Sequence, residues 1–75
     1  MVLAMAADDE AVVAISDTGI IYVVSTKDFT LKSTVTLSIG PYTPSSVLIL
    51  GDKLVIVAQQ YQGENGAVFT VSDWR

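Results

Sequence analysis

Ala4-Met5-Ala6-Ala7-Asp8-Asp9-Glu10-Ala11-Val12-Val13-Ala14-Ile15-Ser16 aligns without a gap on Val47–Gln59, at an offset of 43 residues. Further along the chain, Gly19–Ser25 aligns on Gly66–Ser72 at an offset of 47 residues. The first alignment pairs an apolar run, a turn containing Asp, and a second apolar run in both halves. Each half of the chain is therefore expected to form the same arrangement of secondary structure.

Seven segments have the composition of β-strands, because Val, Ile, Thr, Tyr and Phe dominate them and Gly, Asp or Pro separates them. No window of eleven or more residues keeps the apolar period of a helix. The spacing of the segments matches an antiparallel meander. The predicted strands are Val2–Ala6, Glu10–Ser16, Ile20–Ser25, Leu31–Leu37, Val47–Leu50, Leu54–Gln59 and Ala67–Ser72.

The predicted strands divide into a first unit of four strands, residues 1–37, and a second unit of three, residues 47–75. Residues 38–46 lie between them and contain two prolines, which cannot donate the backbone hydrogen bonds that a central strand needs. We therefore predict that 38–46 is a crossover outside the sheets. Leu31–Leu37 mixes polar and apolar residues, which predicts a partly solvated outer strand.

A period in the forties built from strands alone is typical of β-propeller blades. The sequence thus predicts an all-β fold of antiparallel four-stranded meander blades of β-propeller type, about 1.75 blades in all. Seven short strands also suit a small β-sandwich, which stays open as the alternative. Propellers close with about four to eight blades, so we expect either a fragment of a longer chain or a subunit that associates with other chains.

The second half also carries a family resemblance. Gly51–Gln59 followed by Gly66–Asp73 resembles the repeat of YVTN-type seven-bladed β-propellers. Ser25–Leu37 is similar to that family's passage from third to fourth strand, and Gly40 and Pro44 lie where the family often has Gly and Pro before the next blade. The family includes surface-layer proteins, lactonase-like enzymes and dehydrogenase subunits, so the resemblance implies an architecture and several possible functions.

Charge and composition narrow the function classes. The chain carries eight acidic and four basic residues, and the basic residues are scattered, so nucleic-acid binding is not expected. The absence of Cys and His removes thiolate zinc sites, disulfides and the Ser–His and Cys–His nucleophile pairs. We predict no catalytic residue, no metal site and no cofactor within this chain.

Membrane insertion is not predicted either. The longest apolar stretches fall well short of the roughly 18 residues that a membrane span needs. Val2–Ala7 is too short for a signal peptide and has no basic residue before it. A soluble chain is therefore expected, with protein partners: a second copy, or the remaining blades of a larger chain.

A candidate binding site lies at one end of the predicted sheets. Loops of a meander alternate between ends, so the loop after the second strand and the crossover open together. In the second unit this loop is four residues longer on the alignment, and insertions often mark a binding face. Tyr offers flat contact area, while Gln and Asn offer adaptable hydrogen bonds. The predicted binding residues are Tyr42, Gln59, Gln60, Tyr61, Glu64 and Asn65.

The same residues have a structural interpretation, in which Tyr42 and Tyr61 cover the end of the apolar interior. At the opposite end, Asp8, Asp9 and Asp52 are expected to lie in solvated turns rather than to bind a metal. Trp74 is expected to be a buried anchor.

Three hypotheses of function remain. The favoured one is a non-catalytic β-propeller-type scaffold or interaction module, because the sequence has repeats, is acidic and lacks catalytic residues. The second is a fragment of a propeller enzyme, lactonase- or dehydrogenase-like, whose catalytic residues lie outside this chain. The third is a small self-assembling shell or filament protein, suggested by the unpaired strand edge.

Overall fold

A computed structural model of the chain describes residues 1–60, 63 and 65–75, and it is all-β there. Val and Ile at alternating positions favour extended backbone, because their branched side chains pack well on a pleated surface. The seven strands are β1 Val2–Ala7, β2 Ala11–Ser16, β3 Ile20–Ser25, β4 Leu31–Thr36, β5 Tyr42–Leu50, β6 Lys53–Gln60 and β7 Gly66–Ser72.

The strands form two antiparallel sheets. The first has the order β1-β2-β3-β4, and the second has the order β5-β6-β7. The predicted all-β class and the counts of four and three strands are confirmed. Strand β4 lies at the edge of the first sheet with most of its side chains exposed, as its mixed composition predicts.

The crossover is shorter than the sequence predicts, because β5 begins at Tyr42 rather than at Val47. The prediction that prolines keep 38–46 out of the sheets is wrong for residues 42–46. Pro44 lies opposite Ala58, beside a β-bulge, and β5 is an edge strand. Proline is tolerated at edges and bulges, because there the missing N–H interrupts no pairing.

The two sheets pack through one face each, called here the inner faces. The core between them includes buried residues of β2 and β3 from the first sheet and of β5 and β6 from the second. Trp74 joins this core and is buried, so the predicted anchor role is confirmed. The core residues are Ala11, Val13, Ile15, Ile21, Val23, Val47, Leu54, Ile56 and Trp74.

The pairing registers of the two sheets correspond at fixed offsets. Each β1–β2 pair has a β5–β6 counterpart 42 residues later, so Ala6 opposite Val13 corresponds to Leu48 opposite Val55. Each β3 residue has its β7 counterpart 47 residues later. Even the β-bulge of β1, between Val2 and Ala4, recurs at the corresponding place in β5.

This register corrects the alignment of the first hairpin by one residue. The offset is 42 and not 43, because the turn Asp9-Glu10 corresponds to Gly51-Asp52. The offset of 47 for the third strand agrees with the pairing. The loop after β6 is accordingly five residues longer than its counterpart, one more than the alignment indicates.

The corrected register shows that the sheets pack through opposite faces. Val13 and Ile21 are fully buried on the inner face of the first sheet, whereas their counterparts, Val55 and Val68, lie on the outer face of the second. Conversely, the counterpart of buried Ile56 is Ala14, on the outer face of the first sheet. A one-residue shift moves every side chain of a strand to the other face of the sheet. The offset of 42 rather than 43 therefore decides which faces of the two sheets correspond.

Between the two sheets, the backbones of β1 and β5 lie close together over the greatest length, followed by those of β2 and β5. On β1 the inner positions are Ala4 and Ala6, which lie partly buried against the core. Their small side chains leave room for Val47 and Ile49 of β5, which belong to the same packed cluster. The backbones of the two sheets therefore come together mainly at β1 and β5, while most of the buried side chains lie on the other strands. No helix long and apolar enough to cross a membrane occurs in the described residues.

We expect Ile56→Ala to lower the free energy of unfolding by about 2–5 kcal/mol, because it opens a cavity in the fully buried core. The control is Thr36→Ala on the exposed edge strand β4, for which we expect a change within about 0.5 kcal/mol. Urea unfolding followed by Trp74 fluorescence measures both values. Equal effects of the two variants would contradict the assigned inner face.

Candidate functional site

The turn between β2 and β3 meets the crossover, so the loops that the sequence placed at one end do lie together. The backbone N–H of Leu37 donates to the carbonyl of Gly19 at 2.9 Å. Gly19 has φ +87°, and a Cβ there would lie 2.5 Å from the carbonyl oxygen of Leu37 and 3.3 Å from Ile39. Glycine at this position therefore permits the close contact between turn and crossover.

Ser16, which the sequence analysis did not single out, organises this turn. It is the only buried polar residue among those described. Its Oγ accepts hydrogen bonds from the backbone N–H groups of Thr18 (3.3 Å) and Ile20 (3.1 Å), and it lies 3.0 Å from Oγ1 of Thr18. The signal that could have found it is a serine at the end of a strand, directly before Asp-Thr-Gly, where hydroxyls bond to turn backbone.

Tyr42 packs at this end of the structure. It is half-buried, and its ring meets the Phe69 ring edge-on with centroids 6.0 Å apart. Its backbone N–H donates to the carbonyl of Ile39 at 3.1 Å. These contacts support the structural interpretation of Tyr42, in which the ring covers the end of the apolar interior.

Gln59 and Gln60, two more of the predicted binding residues, do not lie on one surface. Gln59 and Gln60 are neighbours on β6, so their side chains point to opposite faces of the sheet. The backbone N–H of Gln60 donates to the carbonyl of Asn65 at 3.0 Å, which closes the loop, and the Asn65 side chain is exposed. Tyr61 and Glu64 lie outside the described residues.

At the opposite end, the acidic turn is held by local hydrogen bonds. Oδ1 of Asp8 accepts from the backbone N–H groups of Glu10 and Ala11, both at 2.9 Å, as Asp does in tight turns. The guanidinium of Arg75 bonds to the Asp8 carboxylate and donates to the carbonyl of Gly51 at 3.0 Å. Arg75 thus connects the turns of both sheets.

The same guanidinium stacks over the Trp74 ring, with its central carbon 4.3 Å from the ring centroid. Its hydrogen bond, together with those from the turn backbone, lowers the pKa of Asp8 from 3.8 to about 2. Arg75 lies over the indole ring and is also paired with a carboxylate. It therefore holds the Trp74 side chain in the core.

A shallow depression of about 340 Å³ lies beside this turn. Its lining carries both signs of charge, which suits neither an anion nor a cation in particular. No group of three or more acidic residues that could hold a metal ion is found in the part of the chain described. The lining residues are Asp9, Glu10, Ser25, Lys27 and Lys32.

The outer faces of the two sheets carry several exposed apolar side chains. On the first sheet Met5 is 68% exposed, and on the second Leu48 and Val68 are 51% and 65% exposed. The first outer face includes Met5, Ala7, Val12, Ala14, Tyr22 and Val24, and on β4 it includes the exposed Thr34 and Thr36. The second comprises Ser46, Leu48, Val55, Val57, Val68 and Thr70. Exposed apolar side chains that share one sheet face are typical of sites that contact other proteins.

We expect Gly19→Ala to destabilise the chain more than Gly51→Ala does. Both glycines have positive φ, so both variants incur the cost of roughly 1 kcal/mol for a left-handed residue with a Cβ. Only Gly19 also meets a backbone oxygen, whereas the space around Gly51 is open. Urea unfolding measures the difference. If the two variants lose equal stability, the contact of the turn with Leu37 does not hold the crossover.

The Asp8–Arg75 pair predicts a pH dependence. Because folding lowers the pKa of Asp8, its ionised form stabilises the fold above pH 3.8, and this contribution is lost as the pH falls through about 2. Arg75→Gln is expected to raise the pKa of Asp8 toward 3.8 and to flatten the acid loss of stability. NMR titration of the Asp8 carboxyl measures this, with Lys53→Gln as the charge-matched control. An Asp8 pKa that Arg75→Gln leaves at about 2 would contradict the pairing.

Comparison of the chain with protein-family models, with curated proteins and with solved structures finds no match in any of the three.

Proposed function

We propose that this chain is a non-catalytic scaffold or interaction module of β-propeller type, which acts by packing apolar sheet faces against other protein. The observation that carries the proposal is that both outer faces carry apolar side chains, exposed at Met5, Leu48 and Val68, while the inner faces form the core. Fully burying one Leu, Val or Met side chain contributes about 1.5–3 kcal/mol. Several such side chains on each face make association favourable.

The relation between the sheets supports blade-type packing over the two-fold sandwich. In a two-fold sandwich, corresponding residues of the two sheets face each other across the core. Here the counterparts of buried Val13 and Ile21 are the outward-facing Val55 and Val68. A ring of blades needs this relation, because each blade must present one face to the blade before it and the opposite face to the next.

The asymmetry of the strand contacts supports the same proposal. Among the residues that the structure describes, β5 approaches β1 and also β2, and β6 and β7 do not approach the first sheet to a comparable degree. A two-fold arrangement would pair the approach of β5 to β2 with an equal approach of β6 to β1. Successive blades of a propeller are related instead by a rotation about an axis near their first strands, which produces the unequal contacts.

If the chain is an interaction module, its outer faces should either be covered by another protein molecule or bind an apolar dye. We expect the chain to sediment as a species larger than 8.0 kDa, or to bind the dye ANS as a monomer. The double variant Met5→Lys/Val68→Lys should lose both behaviours and keep its stability, because both residues are exposed. Sedimentation velocity and dye fluorescence measure these outcomes. A dispersed monomer that binds no dye would contradict the proposal.

A further inference from the structure

Each outer face corresponds to one of the two inner faces that form the interface between the sheets. The outer face of the first sheet corresponds, position by position, to the inner face of the second. Six of its residues, Met5, Ala7, Val12, Ala14, Tyr22 and Val24, have as counterparts Val47, Ile49, Leu54, Ile56, Phe69 and Val71. All twelve side chains are apolar or aromatic, so the two faces share their chemistry.

The same correspondence links the other pair of faces. The inner residues of the first sheet, Ala4, Ala6, Val13, Ile15, Ile21 and Val23, have as counterparts the outer residues Ser46, Leu48, Val55, Val57, Val68 and Thr70. Four of these six counterparts are apolar. The outer face of the second sheet therefore resembles the inner face of the first sheet, which is the surface on which the second sheet packs.

We infer that a second copy of this chain is the partner of these faces. The outer face of the second sheet in one copy packs on the outer face of the first sheet in the next copy. This contact repeats the packing inside the chain and continues the stack of sheets. The inference rests on the proposed function, because it names the partner of the same two faces.

Such an interface is heterologous: two different surfaces meet, and each copy keeps one of each free. Repeated addition closes into a ring if the rotation per copy allows closure, and otherwise gives a filament. A contact between two identical faces would instead stop at a dimer. The number of copies in the assembly therefore distinguishes head-to-tail packing from pairing of two identical faces.

Two single variants test this arrangement. Met5→Glu places a charge on the outer face of the first sheet, and Val68→Glu places one on the outer face of the second. Each should raise the concentration needed for half-association at least about a hundredfold, because an unpaired carboxylate would be buried. Leu48→Glu provides a second variant on the same face as Val68. The control is Ser38→Glu, which lies in the exposed crossover and on neither face.

The decisive measurement mixes the two variants. Each alone should be a monomer of 8.0 kDa, and an equal mixture should form a heterodimer of about twice that mass, since one intact copy of each face remains. Light scattering after size exclusion gives the masses, and near-ultraviolet circular dichroism of Trp74 verifies folding. The control variant should assemble as the unaltered chain does.

Three results would overturn the inference. Either variant could self-associate as strongly as the unaltered chain, which would indicate pairing of like faces. The two variants could both be monomers that fail to combine. The unaltered chain could be a monomer that binds ANS, in which case the proposed interaction module would stand and its partner would be a different protein. Only a monomer that binds no dye would remove both proposals together.

Discussion

The packing of the first sheet against the opposite face of a like second sheet is the interaction on which the rest of the structure depends. The two sheets stabilise each other, because the apolar inner face of each must be covered by another layer. The small side chains of Ala4 and Ala6 let β1 and β5 come close. The larger side chains of Ile15, Ile21, Leu54 and Ile56 fill the space beyond.

Around this core, the two ends of the sheets are fastened in different ways. At one end, Gly19 brings the β2–β3 turn against Leu37, and buried Ser16 satisfies the backbone of that turn. At the other end, Arg75 joins the turns of both sheets through Asp8 and the carbonyl of Gly51. Backbone contact dominates the first end and charge the second, so acid weakens the second end selectively.

The strands could be predicted from the sequence. Runs such as Val12–Ile15 and Leu54–Val57 identify strands, because β-branched residues dominate them and Asp or Gly bounds them. The choice of face could not be predicted, since β2 is apolar at nearly every position and a shift by one residue leaves the pattern unchanged. The alignment placed Asp9 on Asp52 by identity. In the structure the turn Asp9-Glu10 matches Gly51-Asp52, which only the pairing register reveals.

The candidate binding residues were harder to predict for a related reason. Loop length alone drew attention to residues 59–65, but the side chains of Gln59 and Gln60 point to opposite faces, and Tyr42 packs on Phe69. The outer faces were not predicted as sites, because an apolar residue on a strand is assigned to the core until the packing of its sheet is known. Pro44 was misjudged because the edge position of β5 depends on the order of strands.

The loop after β6 has a consequence for design. It carries five more residues than its counterpart, yet the strands on both sides keep the same register. The register of the two strands is therefore the same with the short turn and with the longer loop. A foreign peptide grafted into the shorter turn at Asp17–Gly19 would have a natural precedent within the same polypeptide, provided that the glycine beside Leu37 is retained.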